Sequence, residues 1–176
     1  MDDVTLRPIT DADREFLLRV YAGSRREEMA LSGWDEDRIA AFLAWQFQLQ
    51  HDQYVANYPG AEFDVVLAGG VPVGRLYVHR HPDEIRIMDI AVLPEHRGRG
   101  IGARLMAGLV AESDARGVPL GLHVETLNPA RDWYRVLGFR EGELRGVYYY
   151  MERAPRGRVE AGERAATPRE CECSST

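Results

Sequence analysis

The segment Arg97-Gly98-Arg99-Gly100-Ile101-Gly102 carries the clearest chemistry in the chain. Without Cβ atoms at Gly98, Gly100 and Gly102, successive backbone N–H groups can close on an anion, and a helix opening there adds the positive end of its dipole. A diphosphate suits such a loop. The same spacing also serves as a plain tight turn from strand to helix. It formally matches a dinucleotide fingerprint too, because Gly98-x-Gly100-x-x-Ala103 has Glu125 roughly twenty residues further on. The order of elements counts against a dinucleotide: hairpin-like strands precede the loop, and Pro94-Glu95-His96-Arg97 separates it from its strand. His79-x-His81 has the spacing that puts two rings on one strand face, but no third ligand accompanies it, so no metal is expected.

Periodicity predicts the elements that position this loop. A strand over 4–7 is followed by a helix over 10–26, capped by Thr10, with Ala12, Phe16, Leu17 and Val20 on one side. A second helix follows Trp34 and is capped by Asp35. Strands over 63–67 and 73–78 form a hairpin across Gly69-Gly70. The strand over 84–93 ends in Ile90-Ala91-Val92-Leu93, apolar on both faces as a central strand must be. Beyond the glycines, Ile101, Leu105, Gly108 and Leu109 mark a helix that stops at Gly117. Then come a strand over 120–125, a short helix capped by Asn128 with Pro129 at its first position and Gly138 past its end, and a hairpin of 139–144 with 147–151. The order predicts the α/β (α+β) class: a mixed, mostly antiparallel central sheet flanked by helices.

Composition bounds what such a fold can do. With 176 residues, 45% apolar and 28% charged, the chain makes one domain with a real core. A formal charge of −6 repels a phosphate backbone, so neither a nucleic-acid nor an anionic-membrane partner is expected. All 22 basic residues are arginine, which excludes Walker-type phosphate binding and Schiff-base chemistry through a lysine. No apolar run spans a bilayer and the N-terminus is acidic, so a cytoplasmic protein is expected. The domain is expected over 1–152. Residues 153–176, which include Cys171 and Cys173, hold one branched aliphatic side chain and are expected to form a disordered tail.

The stretch from Ile90 through Ala91, Val92 and Arg97 to Gly102 resembles motif A of the GNAT superfamily of acetyl-CoA-dependent N-acyltransferases, whose pattern is Arg/Gln-x-x-Gly-x-Gly/Ala. Leu122-x-Val124, then Asn128-Pro129-Ala130 and Tyr134-x-x-x-Gly138-Phe139, resemble the same family's motif B. Two motifs in the right order on the right elements are far more specific than either alone. The resemblance spans about 4–151 and is strongest over 88–139.

The resemblance implies acetyl-CoA as acyl donor, an amine as acceptor and no metal. The amides of Arg97, Gly98, Arg99, Gly100, Ile101 and Gly102 would hold the diphosphate. The backbone around Ile90, Ala91 and Val92 would pair with the pantetheine arm, and Asn128 would touch that arm from the other side. The strand containing Leu122 would splay from the one containing Val92, opening a V-shaped cleft. Tyr134 would protonate the departing thiolate, since a phenol with a pKa near ~10 keeps its proton at neutral pH; its plain alternative is a buried structural tyrosine. Where many relatives carry a glutamate base on the central strand, this chain has Arg86, and Glu84 lies two residues earlier on the same face. Asp89, on the opposite face unless a bulge intervenes, and His123 on the neighbouring strand are the other candidates for the base. A non-catalytic acyl-CoA-binding module is the alternative to an enzyme, and a homodimer is an assembly common among the families it resembles.

Overall fold

The computed structural model describes residues 3–157. In chain order they form β1 (Val4–Pro8), α1 (Arg14–Ala30), α2 (Glu36–Asn57), β2 (Glu62–Ala68), β3 (Val71–Arg80), β4 (Ile85–Val92), α3 (Ile101–Arg116), β5 (Leu120–Glu125), α4 (Ala130–Val136), β6 (Arg140–Arg145) and β7 (Tyr148–Arg153). The strands make one sheet in the order β1-β2-β3-β4-β5-β7-β6. Every pairing is antiparallel except β4 with β5. The expected class therefore holds, and a nucleotide fold built on a parallel series does not.

Each face of the sheet is covered by two helices. On one, Ile101, Leu105, Met106 and Leu109 of α3, with Tyr134 of α4, join Leu76, Val78, Ile85, Ile87, Leu120 and Leu122 in the main core. On the other, Leu17 and Tyr21 of α1 meet Leu43 and Phe47 of α2. The ends of the helices follow local chemistry. Asp35 Oδ1 accepts from the Arg38 amide at 2.8 Å and caps α2 as expected. Thr10 does not cap α1 directly. Asp13 accepts from the Thr10 amide and hydroxyl at 2.8 and 2.9 Å and from Arg7 at 2.6 and 2.8 Å, so a single turn of 3-10 helix precedes α1. These partners hold the Asp13 carboxyl far below the ordinary range, the Arg7 bonds contributing most.

Two departures from the expected layout have clear physical causes. β7 runs on through Arg153, placed by sequence in an unanchored tail. Its guanidinium is buried and paired with Asp114 of α3 at 2.8 and 3.0 Å, and Asp114 also accepts from the Arg156 amide at 2.6 Å. β7 thus includes Arg153, because a carboxylate on α3 satisfies an arginine that composition alone assigns to solvent. Cys171, Cys173 and the rest of the expected tail lie outside the described residues. The second shift is the β4 register: Tyr77 faces Asp89 but Val78 faces Ile87, which leaves Met88 as an extra residue in a β-bulge. The bulge inverts the alternation, and its consequences fall on the site.

Candidate functional site

β4 and β5 pair only from Ile85, Arg86 and Ile87 to Leu120, Gly121 and Leu122. Beyond that point the strands part, and the gap between them is a cleft of about 460 Å³. Leu93 N–H donates to Val73 in β3, so by alternation the amides of Ile90 and Val92 point away from β3, into the opening. The family resemblance implies this splay and this free strand edge.

The glycine loop sits at the mouth of the same gap. After Pro94–His96 forms a turn of 3-10 helix, Gly98 and Gly100 adopt φ of +73° and +76°, which only glycine takes without strain. An ideal Cβ at either would meet no protein atom within 4 Å, so the space over the loop is open. The first amides of α3 have no intrahelical acceptor and, with the dipole of that 16-residue helix, suit an anion. Arg97 does different work. Its Nε donates to Val92 O at 3.0 Å and its Nη2 to Gly23 O of α1 at 3.1 Å, so the side chain ties the loop to strand and helix. Arg99 donates to Glu95 O at 3.2 Å.

Across the gap, Asn128 Oδ1 accepts from the Ala130 amide at 2.9 Å and caps α4, so the side chain is fixed where it lines the cleft. Tyr134, in the second turn of α4, also lines it and is only 8% exposed. Burial, with a smaller push from Asp89, raises its hydroxyl pKa to about 12. The phenol therefore stays protonated throughout the neutral range.

The candidate proton acceptors separate clearly. The bulge at Met88 is the condition on which the expected orientation of Asp89 depends, and it brings Asp89 onto the face of Arg86. There it lines the cleft, but it is bound by Arg75 at 2.7 and 3.3 Å. Arg75 is 2% exposed, donates also to Gln50 Oε1 at 3.3 Å, and stacks near Tyr21 and Tyr77. The Met88 carbonyl beside the bulge accepts from Tyr54 of α2 at 3.3 Å. Glu84 precedes β4 and does not line the cleft. It pairs with Arg86 at 3.0 and 3.1 Å and accepts from Tyr150 at 2.9 Å. That contact covers Gly121, where an ideal Cβ would lie 2.3 Å from the Tyr150 hydroxyl and 2.6 Å from Glu84 Oε1. Gly121→Ala is therefore expected to push Tyr150 off Glu84 and cost about 1–3 kcal/mol, read as a fall of several degrees in Tm, with circular dichroism unchanged.

His123 lines both the cleft and a smaller depression formed with Arg86, Glu143, Arg145 and Tyr150. Its imidazole is held below its ordinary value, first by burial and then by Arg86 and Arg145. Neutral at physiological pH, it can accept a proton. Sequence reasoning does not single out Arg25 or Gln50 as lining residues. It counts Glu125 only as part of a dinucleotide pattern, yet Glu125 also stands in the cleft wall, at the end of β5. Of the last three tyrosines, Tyr148 borders the cleft, Tyr150 the smaller depression, and Tyr149 packs on the core beneath Arg131. Among the described residues no group of three or more His, Cys, Asp or Glu could hold a metal, and no helix is long and apolar enough to cross a membrane.

Comparison with known proteins agrees with this geometry. Among curated proteins, the chain is 38% identical over 68 residues to the ribosomal protein bS18-alanine N-acetyltransferase of Haemophilus influenzae, covering 38% of this chain and 47% of that protein. It is 37% identical over 99 residues to the N-alpha-acetyltransferase RimI of Mycobacterium tuberculosis, covering 56% and 61%. The chain thus spans about half the length of the curated relatives it matches. Among solved structures, the PaiA N-acetyltransferase of Thermoplasma acidophilum in complex with coenzyme A superposes with a TM-score of 0.65 at 18% identity, over 86% of this chain and 99% of that one. An acetyltransferase of Thermus thermophilus gives 0.63 at 23%, over 88% and 99%. At these identities the likeness is one of fold. The acetyltransferase (GNAT) family model matches residues 17–139, from α1 through the glycine loop and the splayed strands to the segment just after α4, and by that match the chain belongs to the GNAT family.

Proposed function

We propose that this chain is an N-acetyltransferase that moves acetyl from acetyl-CoA to a primary amine by direct attack. The observation that carries the reading is the splay of β4 from β5, with open glycines at one end and a buried, protonated Tyr134 in its wall. The loop fits a diphosphate because the two positive-φ glycines leave free the volume that Cβ atoms would enter. The Ile90 and Val92 amides would bond an extended amide-bearing arm as a neighbouring strand does, and Asn128, which lines the same cleft, would touch that arm from the other side. The thioester supplies an activated acyl carbon.

An alkylamine of pKa ~10.4 or an α-amine near ~8 is largely protonated at neutral pH and must lose that proton before attack. Of the three candidate bases, His123 suits the task best: it lines the cleft and is held neutral, whereas Asp89 is held by Arg75 and Glu84 lies outside. Tyr134 then donates to the sulfur as negative charge gathers there. The acceptor class suggested by the relatives' names is the α-amino group of a peptide N-terminus.

The test is release of free CoA when purified protein meets acetyl-CoA with amines that include N-terminal peptides and alkylamines. Turnover on one of them supports the reading. Acetyl-CoA binding with no turnover on any would make the chain a non-catalytic acyl-CoA-binding module. Because the His123 pKa is lowered, its neutral form persists below pH ~6.5, and kcat should fall only below that value. His123→Phe should lower kcat roughly 10–100-fold at pH 7. Much of the loss should be recovered at a pH where the acceptor is already neutral.

A further inference from the structure

We propose that Glu125 is the group that docks the acceptor's ammonium at the mouth of the cleft, taking it in exchange for Arg25, so that the site selects cationic amines. This rests on the transferase reading above. Glu125 ends β5, three residues past the last β4–β5 pair, so its carboxylate stands on the splayed arm. Its Oε1 lies 3.5 Å from Arg25 Nη2 on α1 and accepts from the Tyr148 hydroxyl at 3.3 Å. Arg25 Nη1 is in turn 3.6 Å from Glu28 Oε2.

The other charges of the cleft wall are matched within the protein: Asp89 is held by Arg75, Arg145 by Glu143, and His123 is neutral. Of the two arginines in the cleft wall, Arg25 is the one shared by two carboxylates, Glu28 and Glu125. One negative charge is therefore in excess, and a protonated amine would balance it. The exchange costs little, because the Arg25–Glu125 contact is long for a hydrogen bond and partly exposed. Arg25 keeps Glu28 and its place over the Tyr21 ring at 5.2 Å when Glu125 changes partner.

A second observation points to a ligand in the same cleft. Tyr134, 8% exposed and carrying a proton at neutral pH, lines the same cleft as Glu125, so a proton donor and a carboxylate face one cavity. Glu125 is not the base in this scheme. A carboxylate paired with an ammonium holds the proton on the nitrogen. Two residues earlier on the same strand face, His123 receives that proton once the amine advances.

The experiment compares kcat/KM for a primary alkylamine or N-terminal peptide with that for an arylamine, which is uncharged at neutral pH, on full-length protein. Glu125→Gln should lower the ratio of charged to uncharged acceptor about tenfold or more, through KM for the charged one, with the KM for acetyl-CoA unmoved. Glu125→Asp, which keeps the charge, should restore part of the ratio. Arg25→Gln should lower the KM for the charged acceptor several-fold by freeing Glu125. A ratio unchanged in Glu125→Gln overturns the inference, as does an equal loss on both acceptors, which would make Glu125 structural or the base. A wild type that binds acetyl-CoA but acetylates no amine overturns the transferase reading itself. Turnover on amines with selectivity indifferent to Glu125 overturns this inference alone.

Discussion

Gly100→Val should abolish acetyl-CoA binding, with a loss of at least about 100-fold in affinity by calorimetry while the protein stays folded. Gly100 sits at φ +76° immediately before the first residue of α3. A β-branched side chain is a steric outlier there, and the backbone relieves the strain by turning out of the left-handed region. That rotation redirects the amides that Gly98, Arg99 and the first turn of α3 present, and anion binding by backbone depends on their convergence. Gly102 provides the control. It lies within α3 at an ordinary helical φ, and the nearest atom to an ideal Cβ there is Trp133 Cη2 at 4.0 Å. Gly102→Ala therefore tests intrusion on the ligand without backbone strain, and it should weaken binding less than Gly100→Val. Retained affinity in Gly100→Val, or tight binding of NAD with none of CoA, would remove the loop from the diphosphate site.

What is legible in the sequence is local. The turn glycines, the caps of α2 and α4 and the apolar run of β4 are set by residues within a few positions of one another. The glycine loop falls between its strand and helix on that basis. What stays hidden depends on partners far along the chain. The bulge at Met88 is a matter of register against β3, and its carbonyl is satisfied by Tyr54, 34 residues earlier. Nothing near Asp89 announces that Arg75 will meet it, nor is a buried Arg75 expected until its aromatic surroundings assemble. Arg25 reaches Glu125 across 100 residues. Glu84 reads from sequence as a candidate base on the strand face of Arg86, whereas Tyr150, 66 residues away, and Arg86 occupy both its oxygens. Charged side chains are the hardest to place from sequence, because their positions are fixed by a partner rather than by a period.

Tyr134→Phe should cut kcat by roughly 100-fold or more with little change in acetyl-CoA affinity or Tm. The ring belongs to the main core, close to Trp133 and Phe139 at centroid distances of 5.2 and 5.7 Å, and phenylalanine preserves that packing. What it removes is the hydroxyl alone. A phenol of pKa about 12 is a weaker acid than an exposed one, so full proton transfer to a thiolate of pKa ~8.5 is uphill before the charge has developed. In the proposed mechanism its contribution would come instead as a hydrogen bond that strengthens while the C–S bond breaks. In a desolvated site, a bond to a charged group is worth about 1.5–3 kcal/mol, or roughly 10–100-fold in rate, before any proton transfer is added. Because the hydroxyl keeps its proton across the neutral range, the defect of the phenylalanine variant should be the same from about pH 6 to 9. A tyrosine that acted as a base would give a defect that grows with pH. Full turnover in the variant on a verified acceptor would assign the proton to water or another group. Parallel losses of rate, CoA affinity and Tm would mark a structural residue, and all three are measured on one preparation.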